Sequence, residues 1–167
     1  HVIQSGLKYI LSSVKSGLMV INQQYAHERI LFEEYIARFQ SGKSPSQKLL
    51  FPIQLHFTVA DSEIIKELLP DLKEIGFDLE QFGPQNYVAN GTPPEVKESQ
   101  IQNVLEQIIE NYKSVKDFDQ DRKIYFAKSM ARQLAIKAGQ RLKTEEMTQM
   151  INNLFACQVP DRSPGGQ

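Results

Sequence analysis

Apolar and polar residues alternate along the first part of the chain and then change to a helical spacing. Residues Lys8 to Val14 alternate and Leu18 to Ile21 are continuously apolar, which predicts the two strands of a β-hairpin. From Ala26 to Phe39, apolar residues recur at intervals of three and four, as on one face of an amphipathic helix. The small polar stretch 40–46 then predicts a linker between subdomains.

In the middle of the chain the pattern changes from strand to helix and back. Alternation from Gln54 to Ala60 predicts a strand, and Asp61 stands where the N-cap of the following helix belongs. Pro70 is expected to kink or split this helix, and Gly76 to end it. Two strands, 77–82 and 87–89, and a helix after Pro94 complete a compact β-α-β-β-α unit.

The last third of the chain predicts helices with broad apolar stripes. One helix covers Asp121 to Ala138 and carries small residues on one side. Thr144 is expected to cap another, whose stripe includes Met147, Met150 and Leu154. These stripes are suited either to an intramolecular core or to an isologous dimer interface. The residues after Cys157 are expected to be extended or frayed.

These elements predict an α+β chain in two subdomains. An outer subdomain, residues 1–45 and 116–167, combines the β-hairpin with helices from both chain ends. The inner subdomain, residues 46–115, is the inserted β-α-β-β-α unit.

Composition narrows the classes of function. The chain has 167 residues, 19 basic and 20 acidic, and a formal charge of -1, so no overall field attracts nucleic acid or an anionic membrane. A single cysteine excludes an intrachain disulfide, and a cytoplasmic location is the expectation. No apolar run approaches the roughly 20 residues that span a bilayer, so no membrane contact is expected. Because the chain starts at His1, we expect it to be part of a longer protein.

The stretch from Asn22 to Arg29 has the layout of a metal site whose ligands are missing. A strand ending in an acid and a histidine, followed by a helix that begins with a carboxylate, would direct several ligands at one cation. Asn22 and Gln24 are neutral amides at those places, whereas Glu28 and Glu33 are carboxylates. His27 lies beside Glu28, but adjacent helix residues point about 100° apart, so we expect a partly exposed surface histidine.

The hexapeptide Gln47-Lys48-Leu49-Leu50-Phe51-Pro52 has the composition of a docking peptide. Gln47 can hydrogen-bond at the edge of a pocket, Leu49 and Leu50 can fill an apolar groove, and Pro52 reduces the entropy cost of binding. The same residues could also lead into the strand that begins at Gln54.

Taken in order, these segments resemble the C-terminal domains of the MutL family of DNA mismatch repair proteins. The wording INQQYAHERILFEEY is similar to the family's endonuclease motif, Asp-Gln-His-Ala, two residues, Glu, four residues, Glu. The hexapeptide matches the family's sliding-clamp motif, Gln-x-Leu-Leu-x-Pro, at every fixed position. LLPDLKEIGFDLEQFG and AIKAGQRLKTEEM extend the resemblance over nearly the whole chain.

The resemblance implies that the endonuclease site is degenerate. Its second segment corresponds here to Ala131-Arg132-Gln133, and Arg132 cannot ligate a cation. Its third segment keeps Cys157 but has Val159 where a histidine belongs. Only Glu28 and Cys157 remain as weak metal candidates, fewer than the three protein ligands of a typical catalytic zinc site. We therefore expect no metal, no cofactor and no enzymatic activity in this domain.

The resemblance also implies partners. It suggests a homodimer, docking to the replication sliding clamp through Gln47, Leu49, Leu50 and Pro52, and work with a MutS-like mismatch recognition protein and with DNA through the full-length protein. It implies ATP and Mg²⁺ for an N-terminal ATPase domain outside this chain. Two alternatives stay open: a weak, metal-dependent, clamp-stimulated nicking endonuclease, and a plain structural dimer module without clamp contact.

Overall fold

The computed structural model describes residues 1–114 and 122–167 and confirms the α+β class. The chain divides into two compact units: unit 1 is residues 1–34 with 131–167, and unit 2 is residues 35–130. The predicted subdomain bounds, 45/46 and 115/116, remain a prediction, and the second lies outside the described residues. Among the described residues, no helix combines the length and apolar character needed to cross a membrane.

The described elements alternate between strands and helices in the middle of the chain and are helical at the end. In chain order they are β1 (Val2–Ser5), β2 (Tyr9–Val14), β3 (Gly17–Asn22), α1 (Gln23–Ser41), β4 (Gln47–His56), α2 (Val59–Ile75), β5 (Asp78–Gln81), β6 (Asn86–Thr92), α3 (Ile101–Ser114), α4 (Arg122–Leu134) and α5 (Thr144–Ala156).

Unit 1 is built on an antiparallel sheet in the order β1-β2-β3. The predicted hairpin is confirmed as β2 and β3, and β1 adds a third strand beside β2. Ile10 and Ile21 are register partners that point into the core, where they meet residues of α1 and α5. Strand alternation therefore leaves one face of the sheet covered and turns the other outward.

The apolar stripe of α5 lies in the core of unit 1. Met147, Met150 and Leu154 are buried with Ile10 and Ile21. The Ala and Met stripe of α4 is buried as well, including Met130 and Ala131. Of the two alternatives for these stripes, the burial of their side chains within the chain supports the intramolecular core.

Unit 2 contains the predicted β-α-β-β-α order. Its sheet has the strand order β4-β6-β5, with β6 in the centre and both neighbours antiparallel to it. Both helices bury their apolar faces, with Leu68 and Leu72 of α2 and Leu105 and Ile108 of α3 fully inaccessible. Burial at three-to-four spacing accounts for the helical pattern.

Several element boundaries differ from the prediction. Strand β4 begins at Gln47 and ends at His56, and Val59 and Ala60 belong to α2. Thr58, not Asp61, is the N-cap of α2: its Oγ1 accepts from the Asp61 N–H at 3.2 Å. The helix therefore begins one turn earlier than predicted, and the Thr58 hydroxyl accepts from one of the N–H groups left free at its start.

Helix α2 continues through Pro70, so of the two predicted effects of this proline the split is wrong and the kink stays a prediction. Gly76 ends the helix as predicted, in a left-handed conformation with φ 109°. Helix α4 ends at Leu134 rather than Ala138, and its predicted start, Asp121, lies outside the described residues.

Lys143, not Thr144, is the N-cap residue of α5, and its N–H donates to the Glu146 carboxylate at 2.7 Å. The acidic side chain of Glu146 therefore accepts from the N-cap N–H, a bond different from the one expected of a Thr144 hydroxyl cap.

Candidate functional site

The junction between β3 and α1 is closed by the first of the degenerate ligand positions. The carboxamide oxygen of Asn22 accepts hydrogen bonds from the N–H groups of Gln24 at 3.0 Å and Tyr25 at 3.2 Å. These are two of the N–H groups that a helix leaves free at its start, so Asn22 acts as a cap. Its oxygen is already used in the fold, and Gln24 lies half-buried in the first turn.

Gln23 is a fully buried amide that sequence reasoning missed. Its Oε1 accepts from Nε2 of Gln4 at 2.7 Å, and its Nε2 donates to the carbonyls of Lys137 and Gln140, both at 3.0 Å. The one sign of this in the sequence is that Gln23 follows the inward-facing Ile21 by two positions.

His27 and Glu28, neighbours on α1, differ in exposure. Nδ1 of His27 accepts a hydrogen bond from the Ile136 N–H at 2.9 Å, and the ring is half-buried, which agrees with the expectation of a partly exposed histidine. Burial, and then the positive charge of Lys137, lowers the pKa of His27. Glu28 is buried, and its carboxylate makes no hydrogen bond or ion pair with the described residues.

Glu33 and Arg29, one turn apart on α1, hold residues 158–163, which we call the C-terminal strap. The Glu33 carboxylate accepts from the N–H groups of Gln158 at 2.7 Å and Val159 at 3.2 Å. Arg29 donates to the carbonyls of Arg162 at 2.8 Å and Ser163 at 3.1 Å. Because of these bonds the segment after Cys157 is anchored, and it forms bends and turns, so the expectation that it is extended or frayed is wrong.

Cys157 is a half-buried thiol just before the strap. Its Sγ donates to the Asn153 carbonyl at 3.4 Å, one turn back on α5. Burial, and then the charge of Glu33, raises the pKa of Cys157 to about 11. The thiol is therefore neutral near pH 7, whereas both metal binding and nucleophilic attack need the thiolate.

The structure brings together three of the degenerate positions, Glu33, Cys157 and Val159, but their groups do not fit a transition-metal site. Glu33 is bonded to backbone N–H groups, the Cys157 thiol is protonated, and Val159 contributes only its N–H. Arg132 is exposed on α4, and its carbonyl accepts from the Lys137 ammonium. Across residues 1–114 and 122–167, no three His, Cys, Asp or Glu side chains are grouped so as to hold a metal ion.

The hexapeptide 47–52 lies on an edge strand of unit 2 rather than in a free loop. Lys48 pairs with Gly91 and Ile53 pairs with Ala89, so four residues of β4 bulge opposite the single residue between those partners. The bulge directs Leu50 and Phe51 outward, with 83% and 75% of their surfaces exposed, while Leu49 is buried at 7%. Bulges and prolines are typical of edge strands.

The outer face of the unit 1 sheet carries exposed apolar side chains. Ile3 is the register partner of Leu11, and Leu11 is the partner of Val20, which places the three in a row across the sheet. Tyr9 and Leu18 extend the row, and Leu18 and Val20 are 64% and 58% exposed. Exposed apolar side chains that neighbour one another in this way are suited to contact with another protein surface.

A cavity of about 350 Å³ lies beside β3 in unit 1. Its lining comes from Met19 to Asn22, from the first turns of α1, from the end of α5 and from residues 160–163 of the C-terminal strap.

Fold and surfaces together define an α+β domain whose open sheet face is suited to protein association. The chain matches the family described as "MutL C terminal dimerisation domain" over residues 2–142. The chain belongs to this family.

Curated relatives agree with the family match. The chain is 38% identical to the DNA mismatch repair protein MutL of Flavobacterium psychrophilum over 158 residues, covering 94% of this chain and 26% of the relative. It is 36% identical to that of Flavobacterium johnsoniae (94% and 24%) and 37% identical to that of Chloroherpeton thalassium (95% and 25%). The chain therefore spans about a quarter of the length of these relatives.

Proposed function

We propose that this chain is the homodimerisation domain of a MutL-like DNA mismatch repair protein, that it docks to the replication sliding clamp, and that it does not itself cut DNA. The observation that carries the dimer is the open apolar face formed by Ile3, Leu11 and Val20 with Tyr9 and Leu18. Family membership supports the same role. ATP and Mg²⁺ binding, a MutS-like partner, DNA contact and a cytoplasmic setting belong to the whole protein and are part of the proposal.

The open sheet face is suited to a dimer in which a two-fold axis relates the two copies. In an isologous interface the same patch meets itself, so one apolar row covers its copy. The hydrophobic effect favours such a dimer, because the exposed apolar side chains of both copies are removed from water when the two faces meet.

The dimer is tested by changing the face without touching the core. Val20→Lys places a charge twice in the interface, since each copy contributes one. In analytical ultracentrifugation we expect wild type at twice its 19.1 kDa chain mass and Val20→Lys as a monomer. The matched control is Phe82→Lys, because Phe82 of unit 2 is 53% exposed. A Val20→Lys chain that stays dimeric contradicts the proposed face.

The exposed part of the bulge supports clamp docking. Gln47, Leu50 and Pro52 are accessible, and Phe51 adds a second large apolar side chain beside Leu50. Leu49 is buried within unit 2, so we propose that it supports the bulge while Leu50 and Phe51 enter the clamp's apolar groove. This assigns Leu49 a different role from the one implied by the motif.

Two sets of substitutions distinguish the side chains proposed to enter the clamp, Leu50 and Phe51, from the one proposed to support the bulge, Leu49. Leu50→Ala with Phe51→Ala is expected to abolish clamp binding in surface plasmon resonance and leave the unfolding midpoint nearly unchanged, because both side chains are exposed. Leu49→Ala is expected to destabilise by about 2–5 kcal/mol, as for buried leucines, yet still bind at a temperature where it is folded. Clamp binding that survives the double change would favour a plain dimer module.

The side-chain groups that a catalytic metal would need in order to cut DNA are neutral or already bonded within the fold. The Asn22 oxygen caps α1, Glu33 holds the strap, and Cys157 is a neutral thiol. We expect the full-length protein, with clamp and Mn²⁺, to leave supercoiled plasmid intact, beside a nuclease-competent relative as positive control.

The alternative is a weak clamp-stimulated endonuclease, which the buried carboxylate of Glu28 favours. Nicking that Glu28→Ala removes would establish it, as would Mn²⁺ or Zn²⁺ binding that the same change abolishes.

A further inference from the structure

The C-terminal strap, residues 158–163, is bound at one end by a positively charged side chain and at the other end by a negatively charged one. Arg29 donates to its last two carbonyls and Glu33 accepts from its first two N–H groups. Arg29 and Glu33 also form an ion pair with each other, with 3.5 Å between Nη1 of Arg29 and Oε1 of Glu33. Charge-assisted hydrogen bonds of this kind are stronger than neutral ones and depend on geometry.

Little else attaches the strap to unit 1. Gln158, Asp161 and Arg162 are exposed, and Ser163 is the one strap residue that is buried. The strap's two apolar residues, Val159 and Pro160, are half-buried. The hydrogen bonds between the strap and α1 run to two side chains of that helix, so the strap's attachment depends on those bonds. Segments with few buried apolar contacts open locally at a lower free-energy cost than the core.

The strap lines the cavity beside β3 and follows the thiol of Cys157. Pro160 to Ser163 line the cavity of about 350 Å³, whose lining also includes Met19, Ala26 and Leu154. Cys157 directly precedes the strap and is half-buried. Removing the strap would leave an apolar groove along β3, an edge strand that pairs only with β2 among the described strands.

We propose that the C-terminal strap is a latch: when Arg29 and Glu33 release it, residues 158–163 open locally, the cavity becomes a groove, and Cys157 is exposed while the sheet and helices of unit 1 stay folded. This inference does not depend on the proposed dimer or clamp contact.

The test measures the rate at which a maleimide reacts with Cys157 under native conditions at pH 8. The chain has one cysteine, so the signal reports this place alone. We expect Arg29→Met to speed the reaction roughly tenfold or more, since hydrogen bonds to charged groups are the stronger ones. We also expect the rate to vary little with low urea concentrations, because a local opening exposes little surface.

Arg29→Met is the deciding variant because electrostatics alone would change the rate in the opposite direction. The charge of Arg29 lowers the pKa of the Cys157 thiol, so losing that charge raises the pKa and slows the reaction. Faster labelling therefore reports opening. Glu33→Gln is not decisive, because losing that carboxylate both lowers the thiol pKa and frees the strap.

Arg141→Met is the matched control, since Arg141 is exposed in the same unit, and its labelling rate should equal that of wild type. Arg29→Lys keeps the charge but not the forked donor, so an intermediate rate is expected, and this variant serves if Arg29→Met does not fold. The latch is overturned if Arg29→Met labels no faster than wild type, or if its labelling has the steep urea dependence of global unfolding.

Discussion

Gln4 and Gln23 form an amide pair in unit 1, with Nε2 of Gln4 donating to Oε1 of Gln23 at 2.7 Å. Both amides also donate to the Gln140 carbonyl, at 2.8 Å from Gln4 and 3.0 Å from Gln23. Oε1 of Gln4 accepts from the Leu142 N–H at 3.2 Å. The pair therefore joins β1 and the start of α1 to the loop that follows α4.

Replacing Gln23 with leucine should destabilise the fold although leucine is apolar and similar in size. The change leaves Gln4 and the carbonyls of Lys137 and Gln140 short of a partner, and a buried group without its hydrogen bond costs about 1–3 kcal/mol. We expect a total loss of about 2–4 kcal/mol in urea unfolding.

Gln24→Leu is the matched control, because it changes the adjacent amide, which is only half-buried. Its effect should stay within about 0.5 kcal/mol, as for surface substitutions. Equal losses in the two variants would contradict the assignment of Gln23 as the structural amide.

Asn22 should behave as a helix cap. Asn22→Ala removes the acceptor for the N–H groups of Gln24 and Tyr25, and should cost about 1 kcal/mol, within the usual range for caps. Asn22→Asp keeps the acceptor and adds a negative charge at the helix N-terminus, so it should unfold at the same or a higher urea concentration than wild type. A loss on Asn22→Asp equal to that on Asn22→Ala would rule out capping.

The sequence was most informative where structure depends on near neighbours. Alternation located the hairpin, and three-to-four spacing located α2 and α3, because both patterns follow from the geometry of the strand and the helix. Gly76 was identifiable for the same reason, since a helix end in the left-handed conformation favours glycine.

Contacts between distant segments were not predictable from the sequence. The burial of Gln23 depends on carbonyls more than 100 positions away. The apolar stripe of α5 indicated burial but not its partner, and the partner proved to be the inner face of the sheet in the same chain. Likewise, the pattern of Gln47 to Pro52 could not show that a bulge turns Leu49 inward and Leu50 outward.

Gly76 should be among the most sensitive glycines. Its φ is +109°, and an added Cβ would lie 2.5 Å from the Pro45 carbonyl oxygen, which is backbone and cannot simply rotate away. Gly76→Ala should therefore cost about 2–4 kcal/mol, from strain of about 1 kcal/mol together with the clash.

Gly139→Ala separates these two contributions. Gly139 has φ +93° but nothing within 4 Å of an added Cβ, so only the strain of about 1 kcal/mol applies. In differential scanning calorimetry, the midpoint temperature of unfolding should be clearly lower for Gly76→Ala than for Gly139→Ala. Equal midpoints would mean that the Pro45 segment moves aside without cost.

His27 should make stability depend on pH in a defined direction. Its Nδ1 accepts from the Ile136 N–H, which only the neutral ring can do. Burial, and then the charge of Lys137, lowers the pKa of the folded-state imidazole below the ordinary 6.5.

Below that ordinary value the unfolded chain binds the proton more readily than the folded chain. The stability contributed by neutral His27 is thus complete above pH 6.5 and is lost as the pH falls through the lower folded-state pKa, by at most about 1.4 kcal/mol per pH unit. His27→Asn keeps an acceptor that does not titrate, so between pH 8 and pH 5.5 it should lose less stability in urea unfolding than wild type does. If the two proteins lose the same amount, the histidine is not buried as an acceptor, since an imidazole that titrates alike in both states adds nothing to the pH dependence.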